Sequence, residues 1–255
     1  MGKLIDIDGN EYQTVQIGNQ IWMEENLRVK HFRDGSPILH APSNEEWLKA
    51  TGKREVKGLR HILPRIDESE TIPAWCSYEN KDENEQKYGL LYNYSVINQE
   101  SNIAPEGWRV PKQDDFQEMF NFLEGEPEPY GFSRLSGKLK AKNEWWNNPF
   151  HNESGFSALP SGSRFCKVRP SIMQLDIDNY KKRIKESETF DSIIEFKGLK
   201  ENCTFWTASY HRGPIIIFLK NEKDEERDFV LIDYTENHHS GESIRLIKEN
   251  AFINI

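Results

Sequence analysis

The sequence lacks any apolar run approaching the ~18 to 20 residues of a membrane-crossing helix, which argues against insertion into a bilayer. Met1-Gly2-Lys3 leads straight into Leu4-Ile5-Asp6 with no apolar export segment. The expectation is therefore a cytoplasmic chain or one whose leader has been removed, and the compartment stays open. Cysteine is scarce: Cys76, Cys166 and Cys203 are odd in number and show no C-x-x-C spacing, so zinc-ribbon and thioredoxin-type readings fail. A Cys166 to Cys203 bridge is allowed, but three buried free thiols are the expectation. Positive charge is short as well, with 33 Lys and Arg against 42 Asp and Glu and a net charge of -9. That balance disfavours nucleic acid and anionic membrane as partners, because both demand a cationic surface. The short basic cluster Lys181-Lys182-Arg183 has glutamate nearby and reads as a solvated face. Walker, Gly-x-Gly-x-x-Gly and His-Glu-x-x-His patterns are missing, so no cofactor is implied. No internal repeat is present, which excludes a solenoid or propeller.

What the chain does have is rings. Only 36% of residues are hydrophobic and mean hydropathy is -0.79, yet 12% are aromatic. Large rings build a core from few positions. They run from Tyr12 to Phe252 without a long gap, so one domain over residues 1–255 is expected. Tyr12 to Met23 reads as a β-hairpin turning at Gly18-Asn19, with Asp8-Gly9-Asn10 as an earlier tight turn. Asp6-x-Asp8-Gly9-Asn10 has its glycine in the fourth position, where a calcium loop of the EF-hand type wants it sixth, so calcium is not supported by motif. Ser43 with Glu46 forms a capping box before a short helix. "YGLLYNYSVI", residues 88–97, places its rings at helical spacing and predicts a helix. "KQDDFQEMFNFLEG" predicts a second, amphipathic one with Phe116, Met119, Phe120 and Leu123 inward. Beyond residue 200, "TFWTAS", "PIIIFLK", "DFVLIDY" and "SIRLIK" predict antiparallel strands, and the fold class is α+β.

The candidates for chemistry are few. Ser157 lies in "NESGFSALPSGSR", which lacks the second glycine of a nucleophile elbow and continues through Pro160 into what reads as another turn at residues 161–164. Phe156 and Leu159 read as core anchors and Ser157 as a turn hydroxyl. His238 and His239, adjacent on a polar loop, read as solvent-facing. His211, between Tyr210 and Arg212 just past a strand, is the better candidate for ligand contact. Trp145-Trp146-Asn147-Asn148 could stack on a sugar while its amides bond the hydroxyls, although one indole of such a pair commonly packs in the core.

Several segments in order resemble the Fibrobacter succinogenes major paralogous domain (FISUMP). They are "DIDGNEYQTVQIGNQIWMEENL", "AWCSYEN", "YGLLYNYSVI", "APEGWRVPKQDDFQEM", "GKLKA", "NESGFSALPSGSR", "FWTAS" and "GESIRLIK". The resemblance implies a C-type-lectin-like fold of two helices, short antiparallel sheets and long irregular loops. That superfamily branch is shared with formylglycine-generating enzymes and the variable proteins of diversity-generating retroelements. Arg109-Val110-Pro111 would lead into the second helix, and Ser243 to Lys248 would return beside the N-terminal hairpin. Residues 43–73 and 165–203 stand out as insertions, and Phe116 occupies a position where the family more often has Trp.

The resemblance further implies a surface or secreted protein of a Bacteroidetes-type bacterium, with no enzymatic activity attached to membership. The expected function is a non-enzymatic binding or adhesion module for a glycan or protein ligand. Its expected contact residues are Trp145, Trp146, Asn147, Asn148, Tyr210, His211, Arg212, Tyr234, His238 and His239, with the second insertion as a wall. The alternatives are a structural subunit of a larger surface or phage-like assembly, and a formylglycine-generating-like oxidase in which Cys166 and Cys203 would hold copper or attack a substrate.

Overall fold

The computed structural model describes residues 2–51, 71–123, 133–146, 151–167, 193–221, 228–235 and 237–249. From the N-terminus, β1 (Gly2–Ile5), β2 (Glu11–Ile17) and β3 (Gln20–Met23) precede β4 (Leu39–His40) and α1 (Asn44–Ala50). Then come β5 (Ala74–Cys76), α2 (Asp82–Tyr88), β6 (Leu91–Tyr92), β7 (Trp108–Arg109), α3 (Gln113–Phe122) and α4 (Ser133–Leu139). The later strands are β8 (Ser161–Lys167), β9 (Ile193–Leu199), β10 (Asn202–Tyr210), β11 (Pro214–Asn221), β12 (Asp228–Tyr234) and β13 (Ile247–Lys248). The class is α+β, as expected, with four short helices among the described residues.

The hairpin of β2 and β3 forms as its alternation predicts, with Val15 opposite Trp22 and Gly18 at φ 59° in the turn. Only a residue tolerant of positive φ fits there. The sheet runs β1-β2-β3-β13-β7, so Ile247 pairs with Trp22 on one side and Arg109 on the other. The closing strand does return beside the N-terminal hairpin, but its regular part is shorter than expected. Ser243 makes only an isolated bridge to Phe205, while the carbonyls of Ile244 and Leu246 accept from the amides of Leu27 and Met23.

The second sheet runs β12-β11-β10-β8-β9. The antiparallel meander of β10, β11 and β12 is as predicted. Residues 161–164, expected to turn, instead open β8, which lies parallel to β10 and antiparallel to β9. Most of the described part of the second insertion is thus sheet. Between β8 and β9, residues 168–192 lie outside the described residues, as do 52–70 of the first insertion. Gly162 takes φ 62° as an irregularity in β8, and a Cβ there would stand 2.5 Å from the Lys197 carbonyl.

The helix predicted over residues 88–97 is not formed. Gly89, at φ 76°, ends α2, and Leu91 and Tyr92 pair with Cys76 and Trp75 before a single 3-10 turn at Tyr94–Val96. The rings still point inward, since Tyr88, Tyr92 and Tyr94 are all buried. Two large clusters result. One joins Tyr12, Met23, Tyr92, Tyr94, Trp108 and Trp206. The other fills the space between the two five-stranded sheets with Trp22, Phe116, Phe120, Leu139, Phe156 and Phe205. Trp22 packs at a tilt on Phe116, ring centres 4.8 Å apart, which places α3 against the hairpin. Arg109 holds that helix by donating two hydrogen bonds to Asp115, one to each carboxylate oxygen at 2.6 Å.

Candidate functional site

The register of the meander decides which side chains share a face. Trp206 is opposite Ile216, which is opposite Asp233; Tyr210 is opposite Pro214. Residues paired across antiparallel strands project to the same side, so these form one face. Phe218, Leu231 and Phe229 continue it, half-buried, with the two phenylalanine rings 6.1 Å apart. The opposite face carries Phe205, Ile217, Leu219 and Val230 into the core between the sheets. A register shift between Trp206 and Tyr210 releases the end of β10. His211 to Gly213 then turn tightly, His211 N–H donating to the Gly213 carbonyl at 2.8 Å and Arg212 taking φ 58°.

At this open end three rings meet. Tyr210 is 6.3 Å from Tyr94 and 5.9 Å from His238, and Tyr94 is 6.2 Å from His238. Tyr94 also stands edge-on to Trp206 at 5.2 Å, so the group is rooted in the core. Tyr210 is 53% exposed and is the ring most open to solvent, with His238 partly exposed and Tyr94 buried. His211 and Arg212 are exposed beside it. Tyr234, 44% exposed, is at the same end of the sheet but pairs with Ile215, which puts it on the other face.

The remaining expected contact residues go elsewhere. Trp145 is only 4% exposed and its Nε1 donates to the Ala158 carbonyl at 3.0 Å, so this indole is core and offers no face to a ligand. Trp146 is 45% exposed, with the Lys200 ammonium 5.6 Å from its ring centre. Lys200 precedes β10 and Tyr210 ends it; nine residues at ~3.3 Å each put about 30 Å between them. Trp146 and the Tyr210 cluster are therefore separate places. Asn147 and Asn148 lie outside the described residues. His239, expected to face solvent, is buried, and its carbonyl accepts from Trp47 Nε1 at 2.8 Å.

Ser157 is a turn residue, as expected, at φ 54°. Its hydroxyl donates to the Gly155 carbonyl and accepts from Asn152. Phe156 is the buried anchor, but Leu159 is half-exposed, and Ala158 takes the second inward position. What the sequence reading missed is the cation underneath. Arg245 is fully buried and donates to the carbonyls of Phe156 and Ser157 and to Asn26 Oδ1, with the Phe156 ring 4.5 Å from its guanidinium. Burial pulls its basicity down to about 10. Arg164 repeats the device, bonding the carbonyls of Ala41 and Pro42 at 2.6 and 3.0 Å and lying over Trp47. Irregular loops have carbonyls with no ladder partner, and a guanidinium supplies several donors at once. The signal in the sequence was an arginine inside the otherwise apolar run "SIRLI".

All three cysteines are buried thiols outside any disulfide, as expected. Burial pushes the thiols of Cys76 and Cys203 up to about 11. Cys166 and Cys203 belong to different hydrophobic clusters. Elsewhere, a shallow cleft of about 520 Å³ opens between Phe32, Ile38, Leu39, Ile72 and Pro73, none of them singled out by the sequence. The Asp6 carboxylate accepts from the amides of Asp8 and Asn10 and from the Tyr12 hydroxyl, so it closes its own turn.

These elements define an α+β protein whose described residues form three sheets and whose irregular loops are pinned from inside by arginine. The chain belongs to the Fibrobacter succinogenes major domain family, whose model matches residues 15–248. Neither a curated protein nor a solved structure matches it.

Proposed function

We propose that this protein is a non-enzymatic binding or adhesion module on a C-type-lectin-like scaffold, and that it engages its ligand through the Tyr210 end of the second sheet. The observation that carries the reading is the continuity of two surfaces. The ring group of Tyr94, Tyr210 and His238 runs on through Ile216 into the half-exposed strip of Phe218, Leu231 and Phe229. Tyrosine gives large contact area with few rotors to freeze, and contiguous apolar surface of this kind commonly marks an interaction site. A sugar would use the open Tyr210 ring alone, whereas the whole strip suits a protein surface, which the length of the apolar run favours. Arg212, His211 and Asp233 provide polar groups at the rim. Against an oxidase built on Cys166 and Cys203, burial pushes the Cys203 thiol up to about 11, and copper(I) or a substrate would need the thiolate.

The test compares wild type with Tyr210→Ala on a glycan array and in capture of proteins from a bacterial surface extract. Binding should fall at least tenfold, or about 1.4 kcal/mol, while the melting temperature stays within a few degrees. Unchanged binding, or a loss of stability as large as that of a core truncation, would overturn the assignment.

A further inference from the structure

Lys140 follows α4 directly, and its side chain is entirely buried. The ammonium reaches the Asp228 carboxylate at the start of β12 and donates to the Lys220 carbonyl at 2.6 Å. The Trp145 ring centre is 4.4 Å away and closes the amine off from water. Asp228 Oδ1 also accepts from Ser136 Oγ at 2.8 Å. An ion pair taken out of water loses hydration that its mutual attraction only partly replaces. One proton passed from ammonium to carboxylate gives a neutral amine beside a neutral carboxylic acid, the reactive pair for condensation.

We propose that Lys140 and Asp228 are joined by an amide between Nζ and Cγ, formed by the folded chain on itself. The amine lone pair adds to Cγ, and the C–Oδ2 bond breaks. An amine proton joins the departing hydroxyl, and one water leaves; nothing is oxidised or reduced. Burial pulls the Lys140 amine down to about 8, so a useful fraction is unprotonated near neutral pH. The fixed geometry replaces a bimolecular encounter, where effective concentrations of about 10⁵ M or more are attainable. Asp228 retains 28% side-chain exposure, which gives the water a way out.

The surroundings also fit the product. The one N–H left on Nζ would keep its bond to the Lys220 carbonyl, and the new amide oxygen would keep the Ser136 hydroxyl. Neither member of the pair would then carry a charge to be compensated at this place. The link would close the chain from α4 to β12, the edge strand of the second sheet, and it does not rest on the ligand-binding reading.

Intact-mass measurement on the purified full chain decides the matter. The expected result is a mass lower than the sequence requires by one water, with a branched peptide through Lys140 and Asp228 recovered on digestion. Asp228→Ala should show its full sequence mass, and Asp228→Asn should lose ammonia instead of water. A wild-type mass equal to the sequence, both fresh and after long incubation at neutral pH, would show a plain ion pair and overturn the proposal. So would a missing water that maps elsewhere in the chain. The wild-type measurement stands whether or not the variants fold.

Discussion

At the scale of single residues, "NESGFSALPSGSR" separates packing from chemistry. Phe156 is buried among Trp22, Phe116 and Phe205, edge-on to each at 5.6 to 6.3 Å. Phe156→Ala should therefore cost about 3 to 5 kcal/mol, read from denaturant unfolding. Ser157→Ala keeps the backbone demand and loses only partly exposed hydroxyl bonds, so about 1 kcal/mol is expected. A larger loss at Ser157 than at Phe156 would contradict this packing. Phe156 was legible as an anchor because large apolar rings rarely stay exposed beside a proline turn. Arg245 beneath it was not legible as a clamp, because its partners are carbonyls, which every residue carries.

At the scale of elements, local signals were read well and distant ones poorly. The hairpin of β2 and β3, the α1 capping box and the amphipathic stripe of α3 depend on residues within a turn or two of each other, and all three formed. Tyr88 to Ile97 failed for the reason short apolar runs usually fail. The same spacing serves a buried strand, and here pairing with β5 settles the matter. β8 and β9 pair across residues 168–192, and nothing in either segment announces the other. The candidate site shows the same division. Tyr210 and His211 were found from position beside a strand, but their grouping with Tyr94 and His238, and their distance from Trp146, are set by topology. Topology also makes β13 indispensable, since Ile247 sits between β3 and β7. Removing residues 241–255 should abolish cooperative melting and near-ultraviolet circular dichroism. A truncated chain that keeps both would show that the first sheet closes without its inner strand.

At the scale of the whole molecule, the interior is richer in ionisable groups than its size leads one to expect. Arg164, Arg245, Lys140 and Glu242 are all buried. Glu242 has a neighbour in Thr204, and burial raises its carboxyl well above the ordinary range. The folded state therefore holds this proton after the unfolded chain has released it. Its contribution is complete below the ordinary carboxylate range and is lost as pH rises toward the elevated folded value. Glu242→Gln should remove that loss and stabilise the protein near neutral pH by about 1 to 3 kcal/mol, with less benefit near pH 4. Unfolding free energies of both proteins across pH 4 to 8 check it. Equal slopes would mean that Glu242 is ionised and compensated in the fold.

The placement of Ile247 inside the first sheet also bears on how a ribosome delivers this chain. The hairpin of β2 and β3 leaves the exit tunnel long before β13 and offers an unpaired edge at Trp22 and Met23. That edge is satisfied only when residues 244–247 arrive, more than two hundred positions later. Pairings of such sequence separation form slowly, and an open edge invites the wrong neighbour. The nascent chain is thus committed to waiting. Its first sheet can be sealed only after residue 247 has emerged and found its place beside Trp22.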